Sequence, residues 1–235
     1  MPVDQHLPMT EMRSNPPEKT WRSIVPEGLR KERGIYLRLG PKAGPIYARL
    51  RLRALLGINR RGLKMPADTR SILFVCFGNI MRSPMAEALL RRELARAEGD
   101  GFNVVSAGMH AIAGNGAHPW ALEAAQGLGV SLKNHRAQPV TPELIEGADA
   151  IYAMDFQNQA ELLAQYPKAA AKIFLLGSYA DGALRHNEIP DPYFGNIDST
   201  RECYELLHRC IRKLTAELLA SASNASIPKR IAVGL

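Results

Sequence analysis

The chain has 235 residues, of which 46% are hydrophobic and 23% charged, the balance of an ordinary globular protein. No apolar run approaches the ~20 residues of a membrane-spanning helix, and residues 1–20 lack the apolar core of a signal peptide; an integral membrane protein is excluded. The net charge of +7 is uneven: residues 1–70 hold 15 Lys+Arg and 6 Asp+Glu, a net of +9, while residues 71–235 hold 15 and 17, a net of −2.

Residues 1–33 are rich in Pro and charge without a sustained period, and read as largely irregular or flexible. Residues 34–64 interleave apolar and basic side chains. Ile46, Leu50 and Ala54 suit a helix, whereas Leu50-Arg51-Leu52-Arg53 alternates like a strand, and the period does not decide between them. From Ser71 the pattern becomes regular. Ser71 to Val75 is a short apolar run that stops at a Gly-containing loop, as a buried strand does. Pro84 fits the first helical position, and Leu89, Leu90 and Leu94 give the following segment an apolar side. Further strands are predicted at Phe102–Val105, Ala150–Met154 and Lys172–Leu176, with helices at Pro119–Leu128 and between the last two strands. Tyr204, Leu207, Ile211, Leu214 and Leu218 step by 3 and 4 along a final helix. Strands alternating with helices predict an α/β fold of three layers, a four-stranded parallel sheet with helices on both faces. The expected organisation is a basic, partly flexible extension of uncertain structure (1–66), one α/β domain (67–222) and a C-terminal tail (223–235).

The stretch Cys76-Phe77-Gly78-Asn79-Ile80-Met81-Arg82-Ser83-Pro84 carries the chemistry. A Cys ends a buried strand, five residues intervene, and an Arg opens a helix. Backbone N–H groups of so tight a loop converge on one point, and the helix N-terminus adds its positive dipole end, which suits a tetrahedral oxyanion. Arg82 supplies a planar fork for two phosphate oxygens. The same positive field favours a thiolate at Cys76, placed for in-line attack on phosphorus. Cys76, Cys203 and Cys210 show neither CxxC nor zinc-ligand spacing, and three cysteines cannot all pair; a reducing cytoplasm is the better prior. Six scattered His give no ligand spacing, so neither metal nor cofactor is implied.

These residues resemble the low-molecular-weight protein tyrosine phosphatases. The resemblance runs from Val75-Cys76 to Ser83-Pro84, then through Ser106-Ala107-Gly108, Asn134-His135-Arg136-Ala137, Met154-Asp155 with Asn158, and Leu176-Gly177-Ser178-Tyr179. It ends at Asp191-Pro192-Tyr193-Phe194-Gly195 and covers roughly residues 71–220. It implies hydrolysis of phosphotyrosine through a phosphocysteine intermediate. Cys76 is then the nucleophile, Arg82 the phosphate and transition-state binder, and Asp191 the general acid and later base. Phe77, Gly78, Asn79, Ile80, Met81, Arg82 and Ser83 form the phosphate-binding loop. Ser83 donates its hydroxyl to the thiolate, Ser106 and His135 brace Asn79, and Tyr193 and Phe194 are candidates for an aromatic wall beside the substrate ring. Asn79 also tolerates the left-handed backbone that a curled loop demands. The implied setting is bacterial and cytoplasmic, with phosphotyrosine proteins as partners, tyrosine kinases of polysaccharide export among them.

Two residues depart from the family pattern. Met81 stands where a second loop cysteine is usual, and Ile112 lies near the place of a common aromatic wall residue. Met81 predicts a Cys76 more readily driven to irreversible oxidation. Alternatives on the same fold are a phosphoarginine phosphatase, against which Ile80 stands in place of the usual Thr, and an arsenate reductase. The latter needs two further cysteines, and the segment from Asp155 to Gln165 has none. A non-enzymatic alternative is a binding module acting through Arg49, Arg51, Arg53, Arg60, Arg61 and Lys64 on a protein partner or an anionic membrane surface. Nucleic acid is the least favoured partner, because no aromatic stacking set accompanies these charges. The plain counterpart is an extension folded back on the domain with its arginines solvated.

Overall fold

The structure, a computed structural model, describes residues 27–58, 65–180 and 187–225. The irregular reading of residues 1–26, the basic residues Arg60, Arg61 and Lys64, and most of the predicted tail lie outside the described residues.

Four parallel strands form the sheet: β1 (Ser71–Cys76), β2 (Asn103–Gly108), β3 (Ala150–Ala153) and β4 (Ile173–Leu175), in the order β2-β1-β3-β4. Ile72 pairs with Val104 on one side of β1 and with Ala150 on the other. Alternation sorts the side chains of β1. Ile72, Phe74 and Cys76 join a core with helices α2 (Arg82–Arg96), α3 (Pro119–Gly127) and α6 (Ile197–Ala225), while Leu73 and Val75 join one with α4 (Pro142–Gly147) and α5 (Phe156–Gln165). Both faces of the sheet are therefore covered, as a parallel sheet requires. Leu89, Leu90, Leu207 and Leu214 are fully buried in the first core, each contributing about 1.5–3 kcal/mol. The chain leaves β1 toward β2 on one side and returns to β3 on the other. The C-terminal end of β1 is thus the point where connections diverge, the usual place for a ligand crevice in such sheets.

The predicted α/β architecture is the observed one, with shifted boundaries: the second strand runs to Gly108 rather than Val105, and the fourth shrinks to three residues. The short helix α4 was not anticipated, since six residues are too few to display a period. The larger correction concerns the extension. Residues 27–33, read as irregular, are helical, and the undecided stretch after them is helical through Leu55. This helix, α1 (Glu27–Leu55), bends back at Gly40, whose φ of 70° is the left-handed region that glycine enters without penalty. Pro41 opens the second arm, where its missing N–H leaves no bond unmade. A straight helix would separate Glu32 and Arg51 by about 28 Å; instead their side chains touch, so the two arms are antiparallel. Ala43, Tyr47 and Ala54 bury against Phe156 and Ala160 of α5, in a third apolar cluster outside the two sheet cores. The alternation in 50–53 that suggested a strand reflects a helix whose apolar residues serve two surfaces: Leu50 packs toward α5 and Leu52 is exposed.

Candidate active site

Residues 77–81 curl from the end of β1 into the start of α2. Asn79, at φ 53°, takes the left-handed turn expected of it. Its side chain and backbone are fully engaged. Nδ2 donates to Ser83 Oγ and Ser106 Oγ, both at 2.9 Å, and Oδ1 accepts from the Gln138 N–H at 2.9 Å. The Asn79 carbonyl lies 2.6 Å from His135 Nε2, which must carry a proton to donate there. Strand β2 closes the loop from the side. The Met109 and His110 N–H groups donate to the carbonyls of Cys76 and Phe77, at 3.0 and 2.8 Å. A Cβ on Gly108 would stand 2.8 Å from both Asn79 N and Phe77 O, so only glycine permits this approach.

Cys76 is 3% exposed, and its Sγ receives the Asn79 N–H at 3.3 Å and lies 3.0 Å from Ser83 Oγ. The Ser83 hydroxyl has two acceptors in reach, this sulfur and the Ala107 carbonyl at 3.2 Å. A negative sulfur draws the hydrogen to itself, since bonds to ionised acceptors are the stronger. Arg82, 2% exposed, donates from Nη1 to Asp155 Oδ2 at 2.6 Å and to the Ile189 carbonyl at 3.1 Å, and from Nη2 to Asp191 Oδ2 at 2.8 Å. Burial opposes the guanidinium charge, but Asp155, Asp191 and Cys76 together outweigh it and raise the pKa of Arg82 above its ordinary value. A thiol, a fixed cation and a carboxylate thus meet at one loop, a set suited to phosphoryl transfer.

The rim above the loop is aromatic. Phe77 lies against the His110 ring with centroids 4.5 Å apart, and His110 Nε2 meets Glu161 Oε2 at 2.9 Å. Burial raises the pKa of Glu161 despite that contact. Tyr193 lies edge-on to His118 and to Phe194, at 5.8 and 5.0 Å. Phe194 is 90% exposed, and Ile112 is exposed as well.

A sequence model described as low molecular weight phosphotyrosine protein phosphatase matches residues 71–224. The chain belongs to this family. It is 39% identical to a protein-arginine-phosphatase of Bacillus subtilis over 63% of this chain and 95% of that one. It is 37% identical to a probable low molecular weight protein-tyrosine-phosphatase, EpsP, of Ralstonia nicotianae, over 60% and 90%. Among solved structures, the tyrosine phosphatase Wzb of Escherichia coli K30 in complex with sulphate superposes with a TM-score of 0.58 at 32% identity, covering 64% of this chain and 99% of Wzb. The matched family segment begins at the first strand, so α1 lies outside it.

Within this phosphatase, the structure brings together Cys76, Asn79, Arg82, Ser83, Ser106, His135 and Asp191, which the sequence singled out. Tyr193 stands beside them, its N–H 3.2 Å from Asp191 Oδ1, whereas Phe194 projects into solvent. Sequence reasoning gave no role to Asp155, the shortest contact of Arg82. Its place directly after β3 was a usable signal, because ligand-facing residues gather at strand C-termini. Tyr204 of α6, donating to the Met81 carbonyl at 3.0 Å, and Glu188, donated to by the Phe156 N–H at 2.9 Å, were also missed.

Proposed function

We propose that this phosphatase hydrolyses phosphotyrosine in proteins through a phosphocysteine intermediate. The Cys76 thiolate attacks phosphorus, the bond to the tyrosyl oxygen breaks, and Asp191 gives that oxygen its proton. Water then attacks the phosphocysteine, Asp191 takes the water's proton, and the P–S bond breaks to release inorganic phosphate. On substrate binding, Arg82 Nη2 exchanges Asp191 for a phosphoryl oxygen, which frees the carboxyl for the leaving group, while Asp155 keeps Nη1 in place. The observation that carries this reading is the convergence of Cys76 Sγ, the buried Arg82 fork and Asp191 on one loop. The sulphate held by the related Wzb supports a tetrahedral oxyanion as ligand.

The reading extends to the cytoplasm as the working compartment and to tyrosine kinases of polysaccharide export as one class of partner. Among the described residues no helix is long and apolar enough to cross a membrane. The basic arms of α1 are available for a protein or membrane-surface contact in addition. A second reading, phosphoarginine as substrate, is favoured by the 39% identity to the Bacillus subtilis enzyme; Ile80 and the Tyr193 rim favour the aryl ester. Turnover of phosphotyrosine, phosphoarginine and phosphoserine peptides by wild type and Cys76→Ser decides. We expect phosphotyrosine to be preferred and Cys76→Ser to lose about 10⁴-fold or more. Preference for phosphoarginine would transfer the assignment to the second reading, and phosphotyrosine turnover surviving Cys76→Ser would defeat the mechanism.

A further inference from the structure

The segment that presents Asp191 is gripped from two directions. On one side Arg82 donates to the Ile189 carbonyl and to Asp191 itself. On the other side stands Glu188, most of whose side chain is buried. Its Oε1 accepts from the Phe156 N–H at 2.9 Å, and its Oε2 accepts from Arg51 Nη1 at 2.6 Å. Between these two grips the Ile189 N–H bonds the Met154 carbonyl at 2.8 Å, so Glu188 and Ile189 tie this segment to the end of β3 and the start of α5. The same turn carries Asp155, whose Oδ1 caps α5 at the Asn158 N–H and whose Oδ2 holds Arg82.

Arg51 belongs to α1, outside the family segment, and its contact with Glu188 is not incidental to its conformation. The guanidinium is fixed by Glu32 of the opposite arm, with Nε to Oε2 at 3.0 Å and a second bond from Nη2. Glu32 is in turn held by the Tyr47 hydroxyl at 2.6 Å. The flat group also lies 5.8 Å from the centre of the Phe156 ring and 6.0 Å from that of Tyr47. An arginine bound on several sides in this way directs its remaining N–H groups with little freedom. Burial raises the pKa of Glu188 despite Arg51 and the Phe156 N–H, so its carboxylate depends on both donors.

We propose that Arg51 is a positioning residue for catalysis: acting through Glu188, it sets the place of the segment bearing Asp191, which makes the N-terminal hairpin a working part of the active site. The proposal rests on the acid and base roles given to Asp191 above. Loss of Arg51 leaves Glu188 Oε2 without its donor, the segment shifts, and the Asp191 carboxyl no longer meets the leaving oxygen squarely. Chemistry that needs the proton then suffers more than chemistry that does not.

Full-length protein and two aryl esters test this. Phenyl phosphate expels a basic phenolate that needs the proton, and p-nitrophenyl phosphate expels a stabilised one that scarcely does. The readout is the ratio of the two kcat/KM values. For Arg51→Ala we expect phenyl phosphate to lose ~10-fold, part of the range a general acid contributes, while p-nitrophenyl phosphate changes less than about twofold. Arg51→Lys, which keeps one donor for Glu188, should recover part of the ratio. Lys42→Ala, on the exposed side of the same arm, should leave both rates as they are. Equal losses on the two esters, or none, would mean that Arg51 only fastens the hairpin, and the proposal fails. Asp191→Asn separates that failure from a failure of the mechanism. If Asp191→Asn enlarges the ratio and Arg51→Ala does not, only the role of Arg51 falls; if Asp191→Asn leaves the ratio unchanged, the acid assignment falls and takes Arg51 with it. Should Arg51→Ala not fold, Arg51→Lys and Arg51→Gln carry the same comparison.

Discussion

The loop at Cys76 and the hairpin at Arg51 are both held by polar side chains, but in opposite styles. In the loop the holding groups are short and buried, Asn79, Ser83 and Ser106 being at most 1% exposed. They fix a single backbone curl against β2. In the hairpin the holding groups are long, charged and partly open to solvent, with Arg51 and Glu188 about a quarter exposed. They span separate elements rather than one turn. A short buried network sets geometry at the cost of tolerating no substitution, because each lost partner leaves a desolvated group unpaired. A long ionic network transmits position more loosely, and salt and solvent weaken it. The loop therefore defines the chemistry, while the hairpin adjusts it.

The largest effect expected from disturbing one region alone is oxidative. The loop depends on a single thiol, whereas α1 contains no cysteine. Met81 cannot trap an oxidised Cys76 as a disulfide, and the remaining cysteines are poor substitutes. Cys203 is buried in the same core, with its Sγ 3.5 Å from the Pro190 carbonyl, and burial pushes its thiol up to about 12. It is almost wholly protonated at neutral pH and so is a slow attacker. Brief peroxide treatment should abolish turnover, and dithiothreitol should restore little of it. Rapid and full recovery, or a Cys76–Cys203 disulfide found by mass spectrometry, would contradict this.

A smaller loss is expected from Asn79→Ala. Alanine gives up three side-chain hydrogen bonds, strands the Gln138 N–H, and must still adopt φ 53°. Unsatisfied buried groups cost about 1–3 kcal/mol, and the left-handed backbone adds roughly 1–2 kcal/mol. Urea denaturation should register a loss of about 2–5 kcal/mol, with kcat down ~10–100-fold as the loop loosens. A variant as stable and active as wild type would show that β2 alone sets the curl, through the close approach at Gly108.

The same contrast explains what could be read beforehand. The loop lies within nine consecutive residues, Cys76 to Pro84, so its chemistry is visible in order along the chain. The strands were legible because parallel strands buried on both faces are short apolar runs such as Ser71–Val75. Boundaries were not, since the end of β2 is defined by pairing with the loop at Gly108 rather than by hydrophobicity. The hairpin was hidden for a different reason. Its fold depends on Gly40 reversing the chain and on partners such as Glu188, 137 residues from Arg51, and neither fact is local. Asp155 was quoted as part of a pattern, yet its role appears only when β3 is placed beside β1.

The smallest expected effect sharpens the distinction within the hairpin itself. Leu52 is 57% exposed and Arg49 is exposed, while Arg51 between them faces Glu188 and Phe156. Ser at position 52 removes little buried apolar area, and substitutions of this kind usually shift stability by less than about 0.5 kcal/mol. Leu52→Ser should therefore melt with wild type in a thermal scan and keep both aryl ester rates. If it instead lost stability or slowed turnover as much as Arg51→Ala, the outer face of α1 would be sensed by the active site too. Coupling would then pass through the packing of the whole hairpin on α5, and the ionic link to Glu188 would be one contact among many.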